Sequence, residues 1–72
     1  MNELLLMNRS DAEELHDRLF LSLDEVSLYE AGVREDVIRE LRLAIASSAV
    51  GMSVTVTSEI SEYADEFGLY VL

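Results

Sequence analysis

The chain has 72 residues with no cysteine and a single histidine, His16, which excludes disulfides and thiolate metal sites. Fifteen acidic residues face five arginines, no lysine is present, and the formal net charge is -10 at pH 7. Lysine Schiff-base chemistry is therefore excluded, and such a chain repels nucleic acid and anionic membranes while attracting basic protein surfaces.

Half of the residues are hydrophobic, which predicts a folded chain rather than a disordered one. We expect one small acidic domain over residues 1–72. A domain of this size hides only about 60% of the surface of its unfolded chain, so helix packing or self-association, such as a homodimer, is expected to supplement its stability. The apolar run Leu4–Met7 is too short for a signal peptide, and no stretch approaches the roughly 20 apolar residues of a membrane span. The sequence thus predicts a cytoplasmic protein, in its own cell or in a host's.

The N-terminal third contains a short apolar run followed by a helix. Residues 3–7 fit either a buried strand or the start of a helix. Ser10 and Glu13 have the spacing of a capping box, which predicts a helix over residues 11–22. Its apolar face is formed by residues at three- and four-residue spacing: Ala12, Leu15, Leu19, Phe20 and Leu23.

Residues 22–32 fit a second, short helix, capped by Ser22 or Asp24 and ended by Gly32. A longer helix is predicted over residues 33–50, with Gly51 as its left-handed terminator. Its apolar stripe consists of Val33, Val37, Ile38, Leu41, Ala44 and Ile45.

The C-terminal third alternates between strand and helix signals. Residues 53–57 alternate with period two, which predicts a strand. A helix capped by Ser58 and ended by Gly68 follows, and residues 69–72 are again strand-like. The whole pattern predicts an α+β fold, in which three or four helices pack on a short two- or three-stranded sheet. The alternative is an all-α fold with packed apolar ends.

Sites for catalysis or cofactors are not indicated. Glu13 and His16 form half of a carboxylate-bridged di-iron pattern, but no second histidine completes it, so we expect His16 to border the apolar face and contact Asp17 or Glu13. No Gly-x-Ser-x-Gly turn and no glycine-rich phosphate loop is present. We therefore expect a protein that is not an enzyme, with no catalytic residues, no metal site and no cofactor.

The most distinctive feature is the acidity of the predicted helices. Carboxylates three or four residues apart on a helix are about 5–6 Å from one another, comparable to neighbouring phosphates on a nucleic-acid strand. One hypothesis is an inhibitor that mimics DNA or RNA, as some small phage proteins do against restriction or CRISPR enzymes; the other is a face that only solvates the domain. The residues predicted to contact a basic partner are the densest acidic clusters: Glu35, Asp36, Glu40, Glu59, Glu62, Asp65 and Glu66.

Two further hypotheses stay open. One is an antitoxin-like neutraliser, a variant of the acidic inhibitor. The other is a homo-oligomeric structural module joined through apolar surface. The predicted surface of that module comprises Leu4, Leu5, Leu6, Leu28, Leu43, Val50 and Leu69 to Leu72.

Overall fold

The computed structural model describes residues 5–48 and 53–72. Within these residues, three α-helices pack on a two-stranded antiparallel sheet. The predicted α+β fold is confirmed, and the all-helical alternative is wrong. The elements in chain order are β1 (Leu5–Asn8), α1 (Arg9–Ser22), a 3₁₀ turn (Leu23–Glu25), α2 (Leu28–Ser47), β2 (Ser53–Val56) and α3 (Ser58–Glu66).

The sheet pairs β1, at the start of the described residues, with β2, which precedes α3. Leu5 lies opposite Val56 and Met7 opposite Val54, which resolves the apolar run as a strand. Period-two alternation sends Met7, Val54 and Val56 into the core. The third strand predicted over residues 69–72 is not formed as a ladder, although the Leu72 N–H donates to the Leu6 carbonyl at 2.7 Å. The C-terminal segment therefore lies beside β1.

The helix α1 begins two residues earlier than the sequence predicts. Its N-cap is Asn8, whose extended backbone joins β1 directly to the helix, so Ser10 lies inside the first turn and the predicted capping box is wrong. Asn8 makes no side-chain cap hydrogen bond. Glu13 pairs with Arg9 across one turn instead, at 3.4 Å.

The helix α2 begins five residues earlier than predicted. Ser27 caps it, because its Oγ accepts a hydrogen bond from the Glu30 N–H at 3.1 Å. Ser22 does not cap a helix, since its hydroxyl donates to the Leu19 carbonyl, and only a 3₁₀ turn separates α1 from α2. Gly32 was therefore wrongly predicted as a terminator and lies within α2. The helix ends at Ser47, and the predicted terminator Gly51 lies outside the described residues.

The helix α3 has the predicted terminator and a different cap. Thr57, rather than Ser58, accepts from the Ile60 N–H at 3.4 Å, which ends β2 at Val56. Gly68 has φ +73 and closes the helix as predicted. The Leu69 N–H donates to the Ala64 carbonyl at 2.9 Å and the Gly68 N–H to the Asp65 carbonyl at 3.1 Å, which is the Schellman pattern.

The core lies where the apolar stripes of the helices meet the inner face of the sheet. The predicted apolar face of α1 is confirmed except for Phe20, which is exposed. No helix within residues 5–48 and 53–72 has the length and hydropathy needed to cross a membrane. The buried apolar residues are Met7, Ala12, Leu15, Leu19, Val37, Ile38, Leu41, Val54, Val56, Ile60 and Ala64.

Candidate partner-binding surface

A shallow groove runs between α2 and α3, and carboxylates form both of its walls. At one end, a depression of about 390 Å³ is bordered by Glu30 of α2 and by one side of α3. The helical spacing of three and four residues places the α3 carboxylates on one face. The α3 residues lining this depression are Glu59, Glu62, Tyr63 and Glu66.

The groove continues along α2 into a second depression of about 480 Å³. Glu59 lines both depressions, so the two adjoin at this residue. The second depression is also lined by Val33, Asp36, Arg39, Glu40 and Leu43 of α2. We name the six carboxylates of the groove the acidic face: Glu30, Asp36, Glu40, Glu59, Glu62 and Glu66.

A buried arginine, Arg34, donates hydrogen bonds to carboxylates of both walls of the groove. Arg34 is 7% exposed, and its guanidinium contacts the ends of all three helices. Its Nε donates to Glu30 at 2.9 Å, its Nη2 donates to both Glu66 oxygens at 3.0 and 3.2 Å, and its Nη1 donates to the Ser22 hydroxyl at 2.7 Å. Among the described residues, every buried side-chain nitrogen and oxygen has a hydrogen-bond partner, so this charge is satisfied.

Aromatic rings complete the surroundings of the guanidinium. The Arg34 Cζ lies 5.3 Å from the centroid of the Tyr63 ring and 6.0 Å from that of Phe67, within cation–π range. The Tyr63 hydroxyl donates to Glu30 at 2.8 Å, which adds a second link between α3 and α2. We name Ser22, Glu30, Arg34, Tyr63 and Glu66 the Arg34 cluster.

The pKa values in the cluster follow from these contacts. Hydrogen bonds from Arg34 and then Tyr63 lower the pKa of the Glu30 carboxyl. Burial and the hydrogen bond to Glu30 raise the pKa of the Tyr63 hydroxyl to about 12. Burial opposes the charge of Arg34, yet the hydrogen bonds to Glu30 and Glu66 outweigh it, and the pKa of Arg34 is raised. Glu30 and Arg34 therefore form a charged, hydrogen-bonded pair at neutral pH.

The acidic face keeps an excess of negative charge. Arg34 compensates part of the charge of Glu30 and Glu66, and Arg39 pairs with Asp36 at 3.0 Å. Two guanidinium groups against six carboxylates leave four negative charges on the face. Within the described part of the chain, the carboxylates without an ion pair on this face are Glu40, Glu59 and Glu62.

Five of the seven acids that the sequence singled out lie together on the acidic face: Asp36, Glu40, Glu59, Glu62 and Glu66. Glu35 lies elsewhere, in a smaller depression with Phe20 and Arg42, and Asp65 is exposed on α3 without lining the groove. Glu30 was missed. Its signal was present in the Ser27-x-x-Glu30 cap spacing and in the four-residue step to Arg34, which the wrongly placed helix end at Gly32 obscured.

His16 lies on α1, in a depression with Arg42, Ile45 and Ala46 of α2 that shares no residue with the acidic face. Its Nδ1 is 3.1 Å from Asp17, and its Nε2 accepts a hydrogen bond from the Arg42 Nε at 2.9 Å. In residues 5–48 and 53–72, no group of three or more acidic or histidine side chains could hold a metal ion.

Comparisons of the chain with protein-family models, curated proteins and solved structures give no match. The functional interpretation therefore depends on the groove and its charges.

Proposed function

We propose that this protein is a small acidic binding protein that inhibits a partner by occupying its basic, nucleic-acid-binding surface. The observation that carries the proposal is the acidic face: carboxylates from two different helices converge on one groove and exceed the nearby arginines by four. A surface with this charge attracts a basic cleft and raises the rate of encounter.

The geometry of the acidic face suits the mimicry of a phosphate backbone. Glu59, Glu62 and Glu66 follow one another at helical steps of three and four residues, so the Cβ atoms of neighbours are about 5–6 Å apart. Asp36 and Glu40 lie on the α2 wall of the same groove and form a second row. Two rows of carboxylates on rigid helices can contact the arginines and lysines that otherwise hold nucleic-acid phosphates.

The Arg34 cluster supports a role beyond solubility. An exposed acid that only solvates a domain needs no fixed position, and its ion pairs contribute little to stability. Here a buried arginine, each of whose side-chain nitrogens donates a hydrogen bond, holds one carboxylate on each wall, Glu30 and Glu66. Such pre-organisation lowers the entropy cost of binding a partner of fixed shape.

The kind of partner follows from the negative charge of the acidic face. A protein whose nucleic-acid cleft is rich in arginine and lysine, such as a restriction or CRISPR nuclease, would bind the acidic face in place of its substrate. An antitoxin-like neutraliser would use the same surface, with a basic toxin as its partner. In both cases the attraction is electrostatic, so the affinity falls as salt screens it.

The test is a capture experiment with defined competition. The domain is immobilised, nuclease-treated lysate is passed over it at low salt, and retained proteins are identified after a salt step. The proposal expects a nucleic-acid-binding protein that salt releases and that added duplex DNA or RNA displaces. Retention that neither salt nor nucleic acid reduces would exclude electrostatic mimicry.

A further inference from the structure

One side of α2 carries apolar side chains in line with two carboxylates of the acidic face. The five residues follow one another at steps of four, three, four and three positions. Residues at this spacing lie on one face of an α-helix. We name this surface the outer stripe: Tyr29, Val33, Asp36, Glu40 and Leu43.

The apolar members of the outer stripe are accessible to a partner. Tyr29 is 82% exposed and Leu43 is 66% exposed, while Val33 is partly buried. Val33 and Leu43 also line the second depression of the groove, opposite Glu59 of α3. Exposed apolar side chains that are grouped and bordered by polar residues are typical of protein–protein interaction sites. A face that only solvates the domain would carry polar side chains at these positions.

The mixed chemistry of the outer stripe defines the complementary surface. This step rests on the proposed function, in which the partner is basic. Arginine or lysine side chains complement Asp36 and Glu40, whereas apolar side chains complement Tyr29 and Leu43. A cleft lined only by cations would place charged groups against Tyr29 and Leu43, where they lose hydration without gaining an ion pair. The segment that binds here is therefore both basic and amphipathic.

The walls of the groove select the secondary structure of that segment. Both walls are helices, whose backbone groups are hydrogen-bonded internally, so they offer no sheet edge to which an extended segment could add as a strand. A helix satisfies its own backbone and presents apolar side chains at steps of three and four residues. The outer stripe is about 21 Å long at 1.5 Å per residue, which matches a helix of about 15 residues. We propose that the groove binds a basic amphipathic helix of the partner, which lies along the outer stripe.

The experiment uses two labelled peptides of about 15 residues, the length of the outer stripe. Both are built from the same numbers of lysine and leucine. In the helical peptide the leucines recur every three or four residues, and in the control peptide they alternate with lysine, which favours an extended chain. Fluorescence anisotropy measures the affinity of each peptide for the protein. The helical peptide should bind about tenfold or more tightly, and far-UV circular dichroism should show that it gains helix on binding.

Two variants of equal charge test the outer stripe itself. Tyr29→Ser with Leu43→Ser removes its two most exposed apolar side chains. Tyr70→Ser with Leu72→Ser removes the same residue types, 80% and 66% exposed, from the C-terminal segment. Both variants keep the net charge of -10, and circular dichroism checks that both fold. The first variant should bind the helical peptide about tenfold more weakly than the parent chain, because apolar burial is lost, and the second should bind like the parent.

The outcomes separate this inference from the proposed function. Salt should weaken binding of the helical peptide, yet the difference between the two variants should persist, because apolar burial is not screened. Equal affinities of the two peptides, or of the two variants, would overturn the helix-binding groove. The proposed function would still be supported by capture from lysate of a protein that salt releases and nucleic acid displaces. Absence of that capture would overturn the proposed function whatever the peptides do.

Discussion

Arg34 of α2 and Glu66 of α3 lie 32 residues apart in sequence, and the Arg34 Nη2 donates to both oxygens of the Glu66 carboxylate at 3.0 and 3.2 Å. The same guanidinium donates to Glu30 on its own helix. With the Tyr63–Glu30 hydrogen bond, these contacts set the position of the short helix α3 against α2. The buried Arg34 side chain therefore links the two walls of the acidic face.

Replacing Arg34 by methionine should lower the free energy of unfolding by about 1–3 kcal/mol. Removing one partner of a buried ion pair costs about 3–5 kcal/mol, and we reduce this because Glu30 and Glu66 are partly exposed and can turn to water. Arg39→Met is the matched control, since the Arg39–Asp36 pair is exposed on both sides and should contribute less than about 1 kcal/mol. Urea denaturation of both variants measures the difference, and equal losses would contradict a structural role for the cluster.

The loss of folding stability at alkaline pH should depend on Tyr63. Its pKa is raised from 10.0 to about 12, so the unfolded chain loses this proton at lower pH than the folded one. Stability from this group is complete below about pH 10 and falls as the pH rises towards 12. Tyr63→Phe should remove that fall, and the exposed Tyr29→Phe should keep it. Denaturation midpoints measured between pH 9 and pH 12, roughly the window of this linkage, test the prediction. Parallel curves for the two variants would refute it.

The two described glycines should respond to alanine with opposite signs. Gly32 lies inside α2, and no atom is within 4 Å of an added Cβ, so Gly32→Ala should stabilise the protein by about 0.5–1 kcal/mol. Gly68 has φ +73, and Gly68→Ala should cost about 1–2 kcal/mol because a side chain is strained in the left-handed region. Thermal unfolding of both variants provides the measurement. A destabilising Gly32→Ala would mean that α2 does not continue through this position.

Local signals predicted much of this fold. The period-two pattern of residues 53–57 gave β2, and the apolar spacing of Leu15, Leu19, Val37 and Leu41 identified the core. The role of Gly68 as the end of α3 followed from its residue type and its position after the helical spacing. These features depend on neighbours a few residues away, which is why one sequence reveals them.

The predictions from the sequence were wrong where two local signals competed, or where a contact joins residues that are far apart in the sequence. A glycine suggests a helix end, so Gly32 concealed the stronger cap at Ser27. In the Arg34 cluster, Ser22 lies 12 residues and Glu66 lies 32 residues from Arg34 in the sequence. No periodicity predicts contacts over such separations. The acidic clusters were visible in the sequence, whereas their arrangement on two walls of one groove required the packing of α3 on α2.

The most direct test of the acidic face is capture by two variants of equal charge. Glu40→Lys with Glu62→Lys reverses one acid on each wall, and Asp24→Lys with Glu25→Lys reverses two exposed acids in the 3₁₀ turn between α1 and α2. Each substitution adds two positive charges, so both variants change the net charge from -10 to -6. Circular dichroism establishes that both are folded. If the acidic face binds the partner, the Glu40 and Glu62 variant loses capture of the salt-released, nucleic-acid-competed protein, and the Asp24 and Glu25 variant retains it. Equal retention by the two variants would contradict the assignment of binding to this groove.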